Sequence, residues 1–312
     1  MLNRPHSPKQ LIILSGKGGT GKTSISAAFA HLASLSMVDY PPVVVDADVD
    51  AANLGLVLEP VNSHSHDFWG GSLAQIDPDL CSACGSCADV CRYDAALPDP
   101  QKPGVYWIDP VACDGCAACV YACPNQAIRM LPQQEGNWFS STTAYGPLFH
   151  AELFAGKENS GKLVTLIKQH ARLYAEDEHA PMLLIDGPPG IGCPVISACA
   201  GTNLGLIITE PGQAGLHDLK RVLGVLQHFR VPALICINKA DIYPQGTADI
   251  HAFASQSGIE VIGEIPYDAT IPRAMVAGKP ITLAYPQAPA SQAIIRVWER
   301  VKQNLFDEKE AV

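Results

Sequence analysis

The sequence predicts an α/β chain: a mainly parallel, doubly wound sheet with helices on both faces, interrupted once by a small cysteine-rich module. Three observations lead there. Short apolar runs, QLIILS (10–15), PVVVDADVD (42–50), PMLLIDG (181–187), NLGLIITE (203–210), PALICINK (232–239) and GIEVIGEIP (258–266), alternate with helical or loop sequence. That is the pattern of strands buried on both sides. A glycine-rich loop, SGKGGTGKT (15–23), joins the first strand to an Ala-rich helix expected from about Gly21 to Leu35. Eight of the eleven cysteines fall within residues 81–123, at metal-ligand spacing.

Two further helices follow from apolar periodicity: SGKLVTLIKQHARLYAEDE (160–178), and ASQAIIRVWERVKQNLF (290–306), whose amphipathic face is expected to pack on the sheet. The run SHSHDFWGG (63–71) breaks the strand–helix rhythm and opens the cysteine region, which closes near residues 133–137. The expected division is 1–62 with 137–312 for the α/β domain, and 63–136 for the insertion. His64 and His66 are read as polar linker residues and His217 as structural.

Composition narrows the function classes. Hydrophobic residues make up 47% and charged residues 17% of 312, enough for a large core. A net charge of −10 opposes a nucleic-acid surface or stable attachment to an anionic membrane. The run Leu11–Leu14 is too short for a signal peptide and leads straight into the glycine loop. No stretch of about 18 apolar residues occurs. A cytoplasmic protein with reduced thiols is expected.

Gly16, Lys17, Gly18, Gly19, Thr20, Gly21, Lys22 and Thr23 fit G-x-x-x-x-G-K-[ST]. Glycines let backbone N–H groups curl round phosphates, and the following helix adds its positive end. Lys22 is expected at the β and γ phosphates of ATP, or the β phosphate of ADP, and Thr23 on Mg²⁺, with Ser24 completing the binding loop. Residues 156–163 match the first seven positions but lack the hydroxyl residue, and are expected to form a loop.

Cys81, Cys84, Cys87 and Cys91, then Cys113, Cys116, Cys119 and Cys123 with Pro124, repeat the bacterial ferredoxin run C-x₂-C-x₂-C-x₃-C. In that run the fourth cysteine serves the other cluster. One [4Fe-4S] cluster would take Cys81, Cys84, Cys87 and Cys123; the second would take Cys113, Cys116, Cys119 and Cys91. Zinc is the competing reading of paired C-x₂-C. Arg92 stands where the second run has Pro124. Cys199 and Cys236 read as buried small hydrophobes.

KGGTGKT, with Lys17 one residue after the first glycine, resembles the deviant Walker A motif of the MinD/ParA/Mrp group of ATPases. The resemblance implies that Lys17 acts on a partner subunit's nucleotide in a dimer. VVVDADVDAANLGL is similar to the group's first switch, which implies that Asp46 and Asp48 orient water and the magnesium shell. LLIDGPPGIG is similar to the second switch, implying that Asp186 holds Mg²⁺. Asn238 in INKADI resembles the adenine-reading asparagine, with Asp241 a weaker candidate. Asp50 is expected to cap a helix. Cys193 lies seven residues after Asp186, the offset of a cluster ligand in the nitrogenase iron protein, and its role is left open. The whole chain resembles MinD-superfamily ATPases with an inserted two-cluster ferredoxin domain, which implies a homodimer or a heterodimer with a paralogous ATPase.

Three functions follow as expectations. ATP hydrolysis could gate electron transfer, or redox sensing, through the clusters, between a donor and an acceptor the sequence does not name. The chain could instead be a cluster scaffold or carrier of the Mrp type, or a positioning ATPase. Eight ligands in one self-contained fold favour the first. The acidic tail NLFDEKEAV opposes attachment through a basic terminal helix.

Overall fold

Unbroken apolar runs set the centre of the sheet. The structure, a computed structural model, describes residues 7–157 and 159–306. Its strands are β1 (Lys9–Ser15), β2 (Val43–Asp46), β3 (Val61–Ile76), β4 (Ala96–Pro98), β5 (Tyr106–Ile108), β6 (Ile128–Thr143), β7 (Gly146–Leu153), β8 (Met182–Pro189), β9 (Leu204–Thr209), β10 (Ala233–Asn238) and β11 (Glu260–Ile265). Nine of them form one sheet in the order β11-β10-β9-β1-β8-β2-β7-β6-β3. From β11 to β7 every recorded pairing is parallel.

Leu11, Ile13, Val44, Leu184, Leu206 and Cys236 bury one face against α1 (Lys22–Ser36) and α11 (Pro289–Phe306), where Phe29 and Trp298 meet at 5.0 Å between ring centroids. Their neighbours Ile12, Val43, Val45, Leu183, Ile185 and Ile207 are fully buried too. Side chains alternate along a strand, so both faces of the sheet are covered. The helices α5 (Ser160–Asp177), packed on β2, β7 and β8, and α7 (Gln213–His228), packed on β9 and β1, complete the layers. No helix among the described residues is long and apolar enough to cross a membrane.

The chain forms two compact units, Asp67–Gly136 and the residues on either side of it. It leaves the larger unit within β3 and returns within β6. Inside the larger unit those strands are neighbours: the Ser63 and Ser141 hydroxyls are 2.7 Å apart, and His66 stacks on Trp138 at 4.0 Å. SHSHDFWGG is therefore strand, and His64 and His66 are sheet-edge residues rather than linker. The smaller unit has the antiparallel pair β4–β5, two short helices, α3 (Ser86–Asp89) and α4 (Ala118–Ala122), and a core of Ala74, Cys87, Ala96, Cys119 and Ile128.

Other expectations needed correction. The strand of PVVVDADVD stops at Asp46, and the next helix, α2 (Gly55–Leu58), is capped by Leu54, so Asp50 caps nothing. The second loop-like match, 156–163, ends inside α5, because Ser160 already starts that helix. Residues 307–312 of the acidic tail lie outside the described residues.

α5 also anchors α6 (Cys193–Cys199). The buried Lys168 ammonium donates to the carbonyls of Ala198 at 2.6 Å and Ala200 at 2.5 Å, serving groups a helix end leaves open. Burial pulls the Lys168 pKa down to about 8. The unfolded value is about 10.4, so between pH 8 and 10 the unfolded chain holds a proton that the folded chain has lost. Stability of the wild type is therefore expected to rise across that window relative to Lys168→Met, by about 2 to 3 kcal/mol. Denaturant titrations of both proteins at pH 7 and pH 10 measure it; parallel behaviour would refute it.

Candidate functional site

The phosphate loop leaves β1 at Ser15 and enters α1 at Lys22, the strand–loop–helix context its motif requires. Gly19 and Gly21 take φ of +79° and +91°, left-handed conformations that side chains resist. A Cβ on Gly16 would fall on Asp218 of α7, and one on Gly21 on Nδ2 of Asn238. Asn238 is buried; its Nδ2 donates to Thr20 O at 2.7 Å and its Oδ1 accepts from Lys239 N at 3.0 Å. The structure thus puts Asn238 behind the loop as a brace. Gly21→Ala is expected to dislodge that brace and weaken nucleotide binding about tenfold or more. Equilibrium binding of a fluorescent ADP analogue reads this, and an unchanged affinity would sink the bracing role.

Asp186 sits within β8, fully buried beside the loop. It accepts from Lys22 Nζ at 3.0 Å, Thr23 Oγ1 at 2.9 Å and Ser26 Oγ at 2.7 Å. Lys22 is itself buried, so this is a desolvated ion pair with its lone pairs satisfied by hydroxyls. Ser26, one turn along α1 from Thr23, was not anticipated. Its spacing on the helix was the available signal.

The structure separates Asp46 and Asp48. Asp46 is buried, and its oxygens accept from Asp48 N at 3.2 Å and Leu54 N at 3.0 Å. Burial, with the charge of Asp186 adding to it, lifts its pKa to about 7. It braces the loop after β2 and does not line the cleft. Asp48 does line it; burial lifts its carboxyl too, against the pull of Lys22.

The cleft holds about 730 Å³. Gly18 to Ser24 form its floor; Asp48, Asp50 and Asn53 stand on one side. Leu56, Val57, Met275 and Val276 give it an apolar wall, with the last two at the end of α9 (Thr270–Val276). Thr20 Oγ1 is buried in this floor with no hydrogen-bond partner among the described residues. An orphaned hydroxyl beside left-handed glycines and a lysine suits an incoming phosphate oxygen. Asp241 lies elsewhere and accepts from Tyr267 N at 2.7 Å.

Lys17 does not line the cleft. Its ammonium lies 3.1 Å from Glu210, which also accepts from Lys239. Glu210 closes the run NLGLIITE at the C-terminal end of β9. A carboxylate at the C-terminal end of a strand beside the phosphate loop is the signal that would have found Glu210.

The smaller unit repeats its backbone as well as its cysteines. Left-handed residues recur at matching places in the halves: Ala83 and Gly115, Gly85 and Ala117, Asp94 and Gln126. Those within each C-x₂-C-x₂-C run turn the chain round a centre. The fourth cysteine of each half accepts an N–H bond at 3.3 Å, from Ala95 to Cys91 and from Ala127 to Cys123. Cys81, Cys84, Cys87 and Cys123 line one hollow with Ile76, Tyr106 and Ile128. Burial raises the Cys87 and Cys119 thiols, and neighbouring cysteines, Cys81 and Cys84 for the first, Cys113 and Cys116 for the second, push the same way. Among the described residues no three such side chains converge on a single metal ion. The hollow brings three cysteines of the first run together with the fourth of the second. Cys91 and Cys113 pack against the same small core. Cys199 and Cys236 are fully buried, their thiols pushed up to about 11 and about 12 by burial, while Cys193 is exposed at the start of α6.

Comparison with known proteins places this geometry. A family model described as the CobQ/CobB/MinD/ParA nucleotide binding domain matches residues 11–281. An uncharacterized protein of Methanocaldococcus jannaschii is 35% identical over 294 residues, 94% of this chain and 96% of that one. A cytosolic Fe-S cluster assembly factor of Eremothecium gossypii is 29% identical over 144 residues, covering 40% of this chain and 43% of that one. The septum site-determining protein MinD of Pyrococcus horikoshii, solved with Mg-ADP, superposes over 97% of this chain and all of that one, with a TM-score of 0.57 and 19% identity.

Proposed function

The chain belongs to the CobQ/CobB/MinD/ParA nucleotide-binding family, and from that premise we propose that it is an ATP-hydrolysing iron–sulfur protein whose nucleotide state is coupled to electron transfer through two [4Fe-4S] clusters. One observation carries the reading: a cleft floored by the phosphate loop and a compact unit with two repeated four-cysteine runs, the first sharing a hollow with Cys123 of the second, occupy one chain. Two such runs suit two clusters, which when bound would supply one-electron chemistry.

The larger unit's residues divide the work of phosphoryl transfer to water. Backbone N–H groups of the loop and the start of α1 receive the phosphates. Lys22 balances charge developing on the transferred group, and Thr23 with Asp186 would hold Mg²⁺, which would neutralise phosphate charge. Asp48, on the cleft wall, positions the water, and Asp46 keeps the loop carrying Asp48 in place. Leu56, Val57, Met275 and Val276 offer the base an apolar wall. The motif also favours action as a dimer, of like or paralogous chains.

A second reading has its own support. The chain is similar over 40% of its length to a cytosolic Fe-S cluster assembly factor, and over 39% to an iron-sulfur cluster carrier protein of Aquifex aeolicus. Cys84 and Cys116 are exposed, as a donor site would need. Cluster delivery, with ATP as its control, is the alternative. A positioning ATPase with redox-sensing clusters is the third possibility and has the fold alone behind it.

The deciding experiment is an anaerobic EPR redox titration with and without Mg²⁺ and a non-hydrolysable ATP analogue. Coupling predicts a nucleotide-dependent shift of about 60 mV, equal to about 1.4 kcal/mol for one electron. Identical potentials, with clusters passing to an apo-ferredoxin on ATP addition, would replace electron transfer by delivery.

A further inference from the structure

Glu210 is held firmly in place. The turn after β9 folds back on it: Thr209 Oγ1 donates to Gly215 O at 3.1 Å, and a Cβ on Gly215 would fall on the Glu210 carbonyl. From there its carboxylate reaches two lysines, Lys17 of the phosphate loop and Lys239 after β10. Burial alone would raise its carboxyl; the hydrogen bonds from Lys239 and Lys17 outweigh that and leave it below the ordinary range.

The two lysines are not equivalent. The Lys17 side chain is 44% exposed, that of Lys239 32%, and Glu210 only 16%. Lys239 has a second contact, donating to Gly19 O at 3.4 Å. A half-buried carboxylate stripped of its only cation would be stranded, which is strongly unfavourable. Here that does not happen when Lys17 leaves, because Lys239 stays. Two ammoniums thus share one carboxylate beside the phosphate floor. An anion arriving there competes with Glu210 for the more loosely held lysine.

We propose that Glu210 is a latch on the phosphate loop: it holds Lys17 away until a nucleoside polyphosphate draws the ammonium off, and Lys239 remains as its resident counter-ion. Glu210 is a positioning residue that acts through Lys17. The inference rests on the cleft being a nucleotide site.

The test is a double-mutant cycle in the full chain, with Mg²⁺-AMPPNP as the probe and calorimetry as the readout. Glu210→Gln frees Lys17 and is expected to tighten binding about three- to fivefold, the size of a partly exposed ion pair. Lys239→Met makes Glu210 depend on Lys17 alone and is expected to weaken binding by a similar factor. Both effects should vanish in a Lys17→Ala background. A purely electrostatic or folding effect would persist there, and that outcome overturns the latch. If Glu210→Gln does not fold, Lys239→Met with and without Lys17 decides the matter alone. No binding by the wild type would overturn the nucleotide site itself, and the latch with it.

Discussion

Lys22→Met is expected to reduce ATP hydrolysis by about 10²- to 10³-fold, the scale on which loss of one preorganised charge at a transition state is felt. The same substitution leaves Asp186 buried without its cation. Breaking a buried pair from one side costs about 3 to 5 kcal/mol. The hydroxyls of Thr23 and Ser26 still donate to Asp186, so the lower figure is the expected one. Stability and catalysis can be separated. In Lys22→Met/Asp186→Asn the stranded charge is gone, so denaturant midpoints should recover most of the loss. Hydrolysis should stay at the single-mutant level, because neither phosphate charge nor Mg²⁺ is served. Recovery of turnover in the double mutant would refute the roles given to both residues.

Single cysteine-to-serine substitutions are expected to remove one cluster each, and the crossed ligand sets specify which pairs behave alike. Cys123→Ser and Cys81→Ser should lose the same EPR signal and about half the iron. Cys91→Ser and Cys113→Ser should lose the other. If each run of four held its own cluster, Cys91→Ser would instead match Cys81→Ser. The hollow that gathers Cys123 with Cys81, Cys84 and Cys87 supports the crossed arrangement. Cys199→Ser, buried in the larger unit, serves as the control with full iron.

Much of this was legible in the sequence, and the reasons are local. β1, β8, β9 and β10 announce themselves because both faces of each are buried, which demands unbroken apolar runs. The phosphate loop shows because its glycines are tied to backbone angles that few other residues accept. β3 was missed for the opposite reason. It is an edge strand with Val61 to Asp67 exposed, so sheet pairing holds it while its side chains follow no apolar rule. Pairings between distant residues were also out of reach. Glu210 meets Lys17 across almost two hundred residues, and no spacing rule connects them. Asn238 was singled out, but its engagement with Thr20 depends on how β10 sets beside the loop.

The order of the strands bears on how the protein is born. β1 lies between β8 and β9, and β2 pairs with β8. A growing chain therefore cannot close its central sheet, or present Asp186 to Lys22, until residues beyond 180 have left the ribosome. Residues 67–136 are complete well before that, and domains fold as units from the N-terminal side during synthesis. The cysteine unit can thus be folded, and ready for metal, on a nascent chain whose nucleotide site does not yet exist. If the unit holds the proposed clusters, it could receive them before there is a nucleotide site to influence their loading.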